Sequence, residues 1–95
     1  MQKTLVDIPR ATLDVYNYEE DGLNVYEFDA RECSAPQPMV NTQVVLQSLK
    51  NENDILRVYF FHEPVPLFEK VSQNFIYLSK ELDDGEFLVE FRKKV

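Results

Sequence analysis

One histidine, His62, and one cysteine, Cys33, are the side chains of this chain best suited to move a proton or act as a nucleophile. Asp29, Arg31 and Glu63 lie close to them in sequence and complete a set of five candidate binding residues. Asp29, Cys33, His62 and Glu63 could in principle share a metal ion. Their spacing fits no local ligand pattern, so no metal is assigned. Each residue also has a plainer role. Cys33 reads first as a small packing residue in a loop. Arg31 reads first as one half of an exposed ion pair, with Glu32 or with the start of a second helix, and such a pair adds little stability. His62 reads equally as a functional group that binds a metal or moves a proton and as a brace that hydrogen-bonds the backbone of a Pro-rich turn. No Ser-His-Asp order and no paired-carboxylate cleft is present. Both glycines, Gly22 and Gly85, fall in acidic turns, which excludes a dinucleotide or phosphate-loop fingerprint. The expectation is a non-enzyme without a cofactor.

Composition narrows the setting for these residues. Ninety-five residues, 44% apolar and 13% aromatic, suffice for one small domain with one core. No apolar run approaches the ~20 residues of a membrane helix. The opening MQKTLVDIPR lacks the apolar stretch of a signal peptide. One cysteine permits neither an intrachain disulfide nor a Cys-only zinc site, which fits a reducing cytoplasm. A net charge of −7 disfavours binding to a phosphate backbone, so neither nucleic acid nor a membrane is expected as a partner. The aromatic residues fall mostly at strand positions and read as core rather than as a base-stacking platform.

Periodicity supplies the elements that position the candidates. Asp84-Gly85 between two alternating apolar runs predicts a hairpin over 75–92 with a two-residue turn, setting Leu82 opposite Phe87 and Leu78 opposite Phe91 on a buried face. Asp21-Gly22 predicts an earlier hairpin joining 12–18 to 23–29, although 11–18 also suits a short helix. Between them the period changes. Met39, Thr42, Val45, Leu46 and Leu49 fall on one face of a helix over 39–50, entered through Pro36 and Pro38. An apolar, β-branched and aromatic run over 55–62 reads as a strand buried on both faces. Pro64 and Pro66 then open a short helix over 66–73, with Leu67, Phe68 and Val71 as its contacts and Asn74 as its C-cap. A right-handed crossover makes the strands 23–29 and 55–62 parallel. The expected fold is an α/β two-layer sandwich. It has one mixed sheet in β-α-β-α-β-β order, two helices on one face and an extra N-terminal strand. The expected core is Phe28, Val45, Leu49, Val58, Phe60, Leu78, Val89 and Phe91.

Two motifs resemble known families. Phe28-Asp29 followed by Pro36-Gln37-Pro38 resembles the TusA/SirA-like sulfur-carrier family, in which a strand ends in Leu-Asp and Cys-Pro-x-Pro opens the first helix. In that resemblance position 35 would carry the persulfide, and here it is Ala35. His62-Glu63-Pro64-Val65-Pro66-Leu67 looks like the His-x-Pro-x-Pro-Leu signature of domain-of-unknown-function family 2249, which shares the sulfur-carrier fold and also lacks its thiol. Asp29-Ala30-Arg31-Glu32 resembles that family's Asp-Val-Arg-Glu opening, and Asp84-Gly85-Glu86-Phe87 fits its final hairpin. Together these motifs span 26–93, and they imply an N-terminal extension over 1–24 followed by a TusA/SirA-like domain over 25–95. The family's biochemical role is not established, so the resemblance implies a fold and a place for a site rather than a reaction.

That place is the carboxyl edge of the two parallel strands, where ligands of open α/β sheets bind. The segments 31–38 and 62–66 are expected side by side there, with two helix N-termini that would favour an anion. The expected function is a binding module that docks a partner protein or a small anion. The alternative is a thiol-based sulfur carrier or redox protein using Cys33. A homodimer is expected through the free edge of strand 12–18, with Tyr16 and Tyr18, or through Val40 and Val44 on the first helix.

Overall fold

A computed structural model describes residues 2–94. Six strands form one sheet in the order β1-β2-β3-β4-β6-β5, with two helices between strands. The elements are β1 (Thr4–Val6), β2 (Val15–Glu20), β3 (Leu23–Asp29), α1 (Gln37–Ser48), β4 (Asp54–Phe60), α2 (Val65–Val71), β5 (Phe75–Glu81) and β6 (Phe87–Lys93). β3 and β4 are parallel, with Phe28 beside Val58 and Asp29 beside Tyr59, and the other neighbours are antiparallel. This is an α+β fold with a mixed sheet. Among the described residues, no helix is long and apolar enough to cross a membrane.

The period-2 alternation of the strands divides the sheet into two faces. Leu56, Val58 and Phe60 of β4 and Val89 and Phe91 of β6 share one buried cluster with Val45, Leu46 and Leu49 at α1 and with Leu67, Phe68 and Val71 of α2. Both helices therefore cover the same face. Each such side chain, fully buried, contributes about 1.5–3 kcal/mol. The alternate positions Val25 and Ile55 join Tyr18 in a smaller cluster on the other face. Arg57 on that face holds Glu20 at 2.6 Å and Glu90 at 2.9 Å. Burial, with a hydrogen bond from its hydroxyl to Glu27, pushes the Tyr18 phenol up to about 12.

The N-terminal arm differs from expectation. The predicted strand over 12–18 begins three residues later, at Val15, and it is not an edge. A further strand, β1, covers it, with Leu5 opposite Tyr16. Tyr18 is buried rather than offered as a contact. The loop before β2 is fixed by Asn41, a fully buried α1 residue that the apolar pattern did not single out. Its Oδ1 accepts the backbone N–H of Thr12 at 2.8 Å and of Leu13 at 3.2 Å. Its Nδ2 donates to Thr12 Oγ1 and to the carbonyl of Gln37, both at 2.9 Å.

Both hairpins close at Asp-Gly, but differently. Glu20 pairs with Leu23, and Asp21 and Gly22 both have positive φ (53° and 80°), the two-residue type I′ turn. In the second hairpin the Leu82 N–H donates to the Glu86 carbonyl at 2.7 Å, so the loop is the three residues 83–85. The Asp84 side chain accepts the Glu86 N–H, and Gly85 takes φ 84° as the left-handed third residue. The extra loop residue shifts the register by one and turns β5 over. Tyr77, not Leu78, faces Phe91, while Leu78 faces Glu90 and is 69% exposed. Leu78 therefore leaves the expected core, whose other seven members are buried.

α1 starts two residues earlier than predicted and ends at Ser48, with Pro36 as N-cap and a proline in its first turn. Beyond its end, the Asp54 carboxylate accepts the backbone N–H groups of Lys50 (2.8 Å) and Asn51 (3.0 Å), which holds the turn into β4. α2 ends at Val71 with Ser72 as its C-cap, so Asn74 lies beyond the cap.

Candidate functional site

β3 and β4 end side by side at Asp29 and Phe60, and the chain leaves both strands at the same edge. The Ala30 N–H still bonds the Tyr59 carbonyl at 2.8 Å, so the crossover begins as a continuation of the parallel ladder. Tight local bonds then shape the two loops. Cys33 N–H donates to the Ala30 carbonyl and Gln37 N–H to that of Ser34. On the other side Val65 N–H donates to Glu63 and Leu67 N–H to Pro64. Between the loops lies a cleft of about 410 Å³, lined by Ala30, Cys33 to Pro36, Pro38, Met39, Phe60 to Pro64 and Leu67.

The five candidate residues divide between the two faces of the sheet. Cys33, His62 and Glu63 line the cleft on the helix side. Asp29 and Arg31 line a different hollow with Lys3 and with Tyr16, Glu27 and Tyr59, and the strand positions of these last three face away from the helices. Arg31 is fully engaged there. It forms a two-pronged pair with Asp29, Nε to Oδ1 at 3.0 Å and Nη2 to Oδ2 at 2.7 Å. Its remaining nitrogen reaches Glu86 at 3.2 Å, and its guanidinium lies 4.9 Å from the Tyr59 ring centre. The Arg31 hydrogen bonds hold the Asp29 carboxyl below its ordinary range, and those to Asp29 first raise Arg31 itself. Its partners are thus Asp29 and Glu86, not Glu32 or the start of α2.

β4 ends before His62, so Phe61 and His62 project from a bend rather than from the strand. Phe61 is 55% exposed, and its ring centre lies 4.5 Å from that of His62. Phe61 falls inside the strand expected over 55–62, and it is the earlier end of β4 at Phe60 that frees its ring. The nearest sequence mark is Pro64, which cannot donate to a ladder and so bounds the strand before it without fixing its end at Phe60. Glu63 accepts the Ser79 hydroxyl at 3.0 Å, tying the loop to β5.

The cleft's walls are mostly carbon: Ala30, Ala35, three prolines, Met39, Phe60, Phe61 and Leu67. None of these lining residues is Lys or Arg. The helix-terminal donors are largely used as well, because Pro38 and Pro66 have no N–H and those of Gln37, Val65, Leu67 and Phe68 are bonded to nearby carbonyls. Among the described residues, no three of His, Cys, Asp and Glu are grouped to hold a metal ion. Chemically the arrangement is an apolar slot with an imidazole, a thiol and a carboxylate at its margin. No protein-family model matches this chain, and comparisons with curated proteins and with solved structures found no match.

Proposed function

We propose that the chain is a binding module whose cleft between the Cys33–Met39 and Phe60–Leu67 segments receives an apolar side chain of a partner protein. One observation carries this reading: an apolar-lined slot of about 410 Å³ opens at the carboxyl ends of a parallel strand pair. Pockets of this size and lining, with a few polar groups at the rim, suit an apolar group held by one or two hydrogen bonds. The resemblance of His62–Leu67 and of 29–38 to the sulfur-carrier-like families points to the same edge. Of the two expected ligand classes, the partner protein fits better than a small anion. The slot offers no Lys or Arg, Arg31 is occupied on the other face, and the net charge is −7. His62 is positioned to hydrogen-bond the backbone of the incoming segment, and Phe61 to cover its side chain.

A titration of the ¹⁵N-labelled protein with N-acetyl-phenylalaninamide tests this. The expected result is amide shifts concentrated in 33–39 and 60–67, lost in Ser34→Trp, where an indole at an exposed lining position fills the slot. Inorganic phosphate should leave the same amides unmoved. Shifts from phosphate alone would replace the protein partner by an anion.

The thiol reading rests on Cys33 lining the same slot, half-buried. Intact mass after incubation with a cysteine desulfurase and cysteine decides it. A gain of one sulfur that disappears in Cys33→Ser would establish the carrier and displace the docking role.

A further inference from the structure

β5 is an edge of the sheet, paired on one side only, with β6. Two hydrogen bonds fix which of its backbone groups are free. Leu82 N–H donates to the Glu86 carbonyl, and Lys94 N–H donates to the Asn74 carbonyl. Even-numbered residues therefore turn their backbone groups toward β6. In an antiparallel ladder the alternate residues point the opposite way, so Phe75, Tyr77, Ser79 and Glu81 present N–H and C=O to the open edge. Natural sheets blunt such edges with charge, proline or a bulge. Here the centre of the edge is Ile76, Tyr77 and Leu78, which are 55%, 39% and 69% exposed. The strand's charges, Lys80 and Glu81, are confined to its far end and cancel, in a chain of net charge −7.

We propose that β5 pairs antiparallel with β5 of a second copy, across a two-fold axis at Tyr77, joining two sheets into one. The sequence is self-complementary in that register. Tyr77 meets its own copy and Phe75 meets Ser79, all of them positions with free backbone groups, which gives about six new backbone hydrogen bonds. Ile76 meets Leu78 of the second copy twice, at the closer non-hydrogen-bonded positions of the ladder, and covers the two most exposed apolar side chains of the strand. Lys80 falls opposite Asn74, and Glu81 opposite Gln73, so no like charges face each other. An axis at Leu78 would press Lys80 against Ile76, and an axis at Ser79 would press Lys80 against Leu78 and Glu81 against Tyr77. The expected dimer edge thus moves from the N-terminal side of the sheet to the opposite one.

Sedimentation equilibrium at low and high micromolar protein tests the pairing on the full chain and on two variants. Leu78→Lys places a second charge among exposed apolar groups. Ser79→Pro removes an outward N–H while leaving the β5–β6 ladder intact. The wild type should dimerise reversibly, and each variant should raise the dissociation constant about tenfold or more, with the urea midpoint of Leu78→Lys unchanged at protein concentrations where both chains are monomeric. Should Ser79→Pro fail to fold, Leu78→Lys carries the test alone, since that side chain is exposed. Amides of Tyr77 and Ser79 should gain exchange protection with concentration in the wild type only. A wild type that stays monomeric, or a dimer that Leu78→Lys leaves intact, overturns the proposal.

Discussion

Replacing Asn41 by alanine should detach the N-terminal arm from α1 at a cost that the geometry allows to be worked out. The side chain makes four hydrogen bonds, two accepted from the amides of Thr12 and Leu13 and two donated to Thr12 Oγ1 and the Gln37 carbonyl. At about 1 kcal/mol net for each, the loss is about 4 kcal/mol. Two effects reduce it. Alanine is the better helix former by up to ~0.7 kcal/mol, and Thr12 is exposed, so water replaces part of what its amide loses. Leu13 is half-buried and its amide is not rescued so readily. The net expectation is about 3 kcal/mol, or a fall in Tm of about 12–24 °C for a domain of this size. Urea unfolding followed by circular dichroism gives the energy, and hydrogen exchange gives the location. Exchange at Thr12 and Leu13 should accelerate far more than exchange at Val89 or Phe91. A loss below ~1 kcal/mol, or an unchanged exchange rate at Leu13, would refute the role of Asn41 as the latch.

Two further outcomes follow from the core and from the turn after α1. Leu49→Ala and Phe91→Ala, both at buried positions, should each cost about 2–5 kcal/mol in urea unfolding, whereas Leu78→Ala should stay within ~0.5 kcal/mol at protein concentrations where the chain is monomeric. Burial raises the Asp54 carboxyl, but hydrogen bonds from Asn24 and from the backbone of Lys50 and Asn51 outweigh it and hold the group below its ordinary value. A depressed folded pKa means the stabilisation is present above the unfolded value of about 3.9 and is lost as pH falls through the folded one. Unfolding measured between neutral pH and strong acid should therefore show a steeper acid loss in the wild type than in Asp54→Asn, and equal slopes would contradict the assignment.

The helices and the parallel pair were legible because their signals are one-dimensional. Val45, Leu46 and Leu49 repeat at helical spacing, and the change of period between the hairpins implied a crossover, which the β3–β4 pairing bears out. The register of the last hairpin was not legible from Asp84-Gly85 alone. The same dipeptide type closes a two-residue turn at 21–22 and ends a three-residue loop at 83–85, and the difference lies in the hydrogen bond from Glu86 to the Asp84 side chain. That single residue moved Leu78 out of the core and created the exposed edge of β5. At the site, the loops around Cys33 and His62 were placed together correctly, because both leave parallel strands at one end. The division of Asp29 and Arg31 from them was hidden. It follows from Asp29, which alternates with the core residue Phe28 and so faces away from the helices; its two-pronged pair holds Arg31 on that face, with Glu86, more than fifty positions away, as a second partner. Asn41 was missed for a related reason: its partners are backbone amides of a distant loop, and a polar residue on a helix carries no sequence mark of burial.

The docking cleft is tested most directly by isotope-filtered NOEs between N-acetyl-phenylalaninamide, at millimolar concentration, and the methyl-labelled protein. The account predicts cross-peaks from the probe's ring to the methyl groups of Ala30, Met39 and Leu67, which line the cleft, and their loss in Ser34→Trp. Cross-peaks to Ile76 and Leu78 on the open sheet face instead, or none to the three cleft methyls under saturating probe, would contradict it.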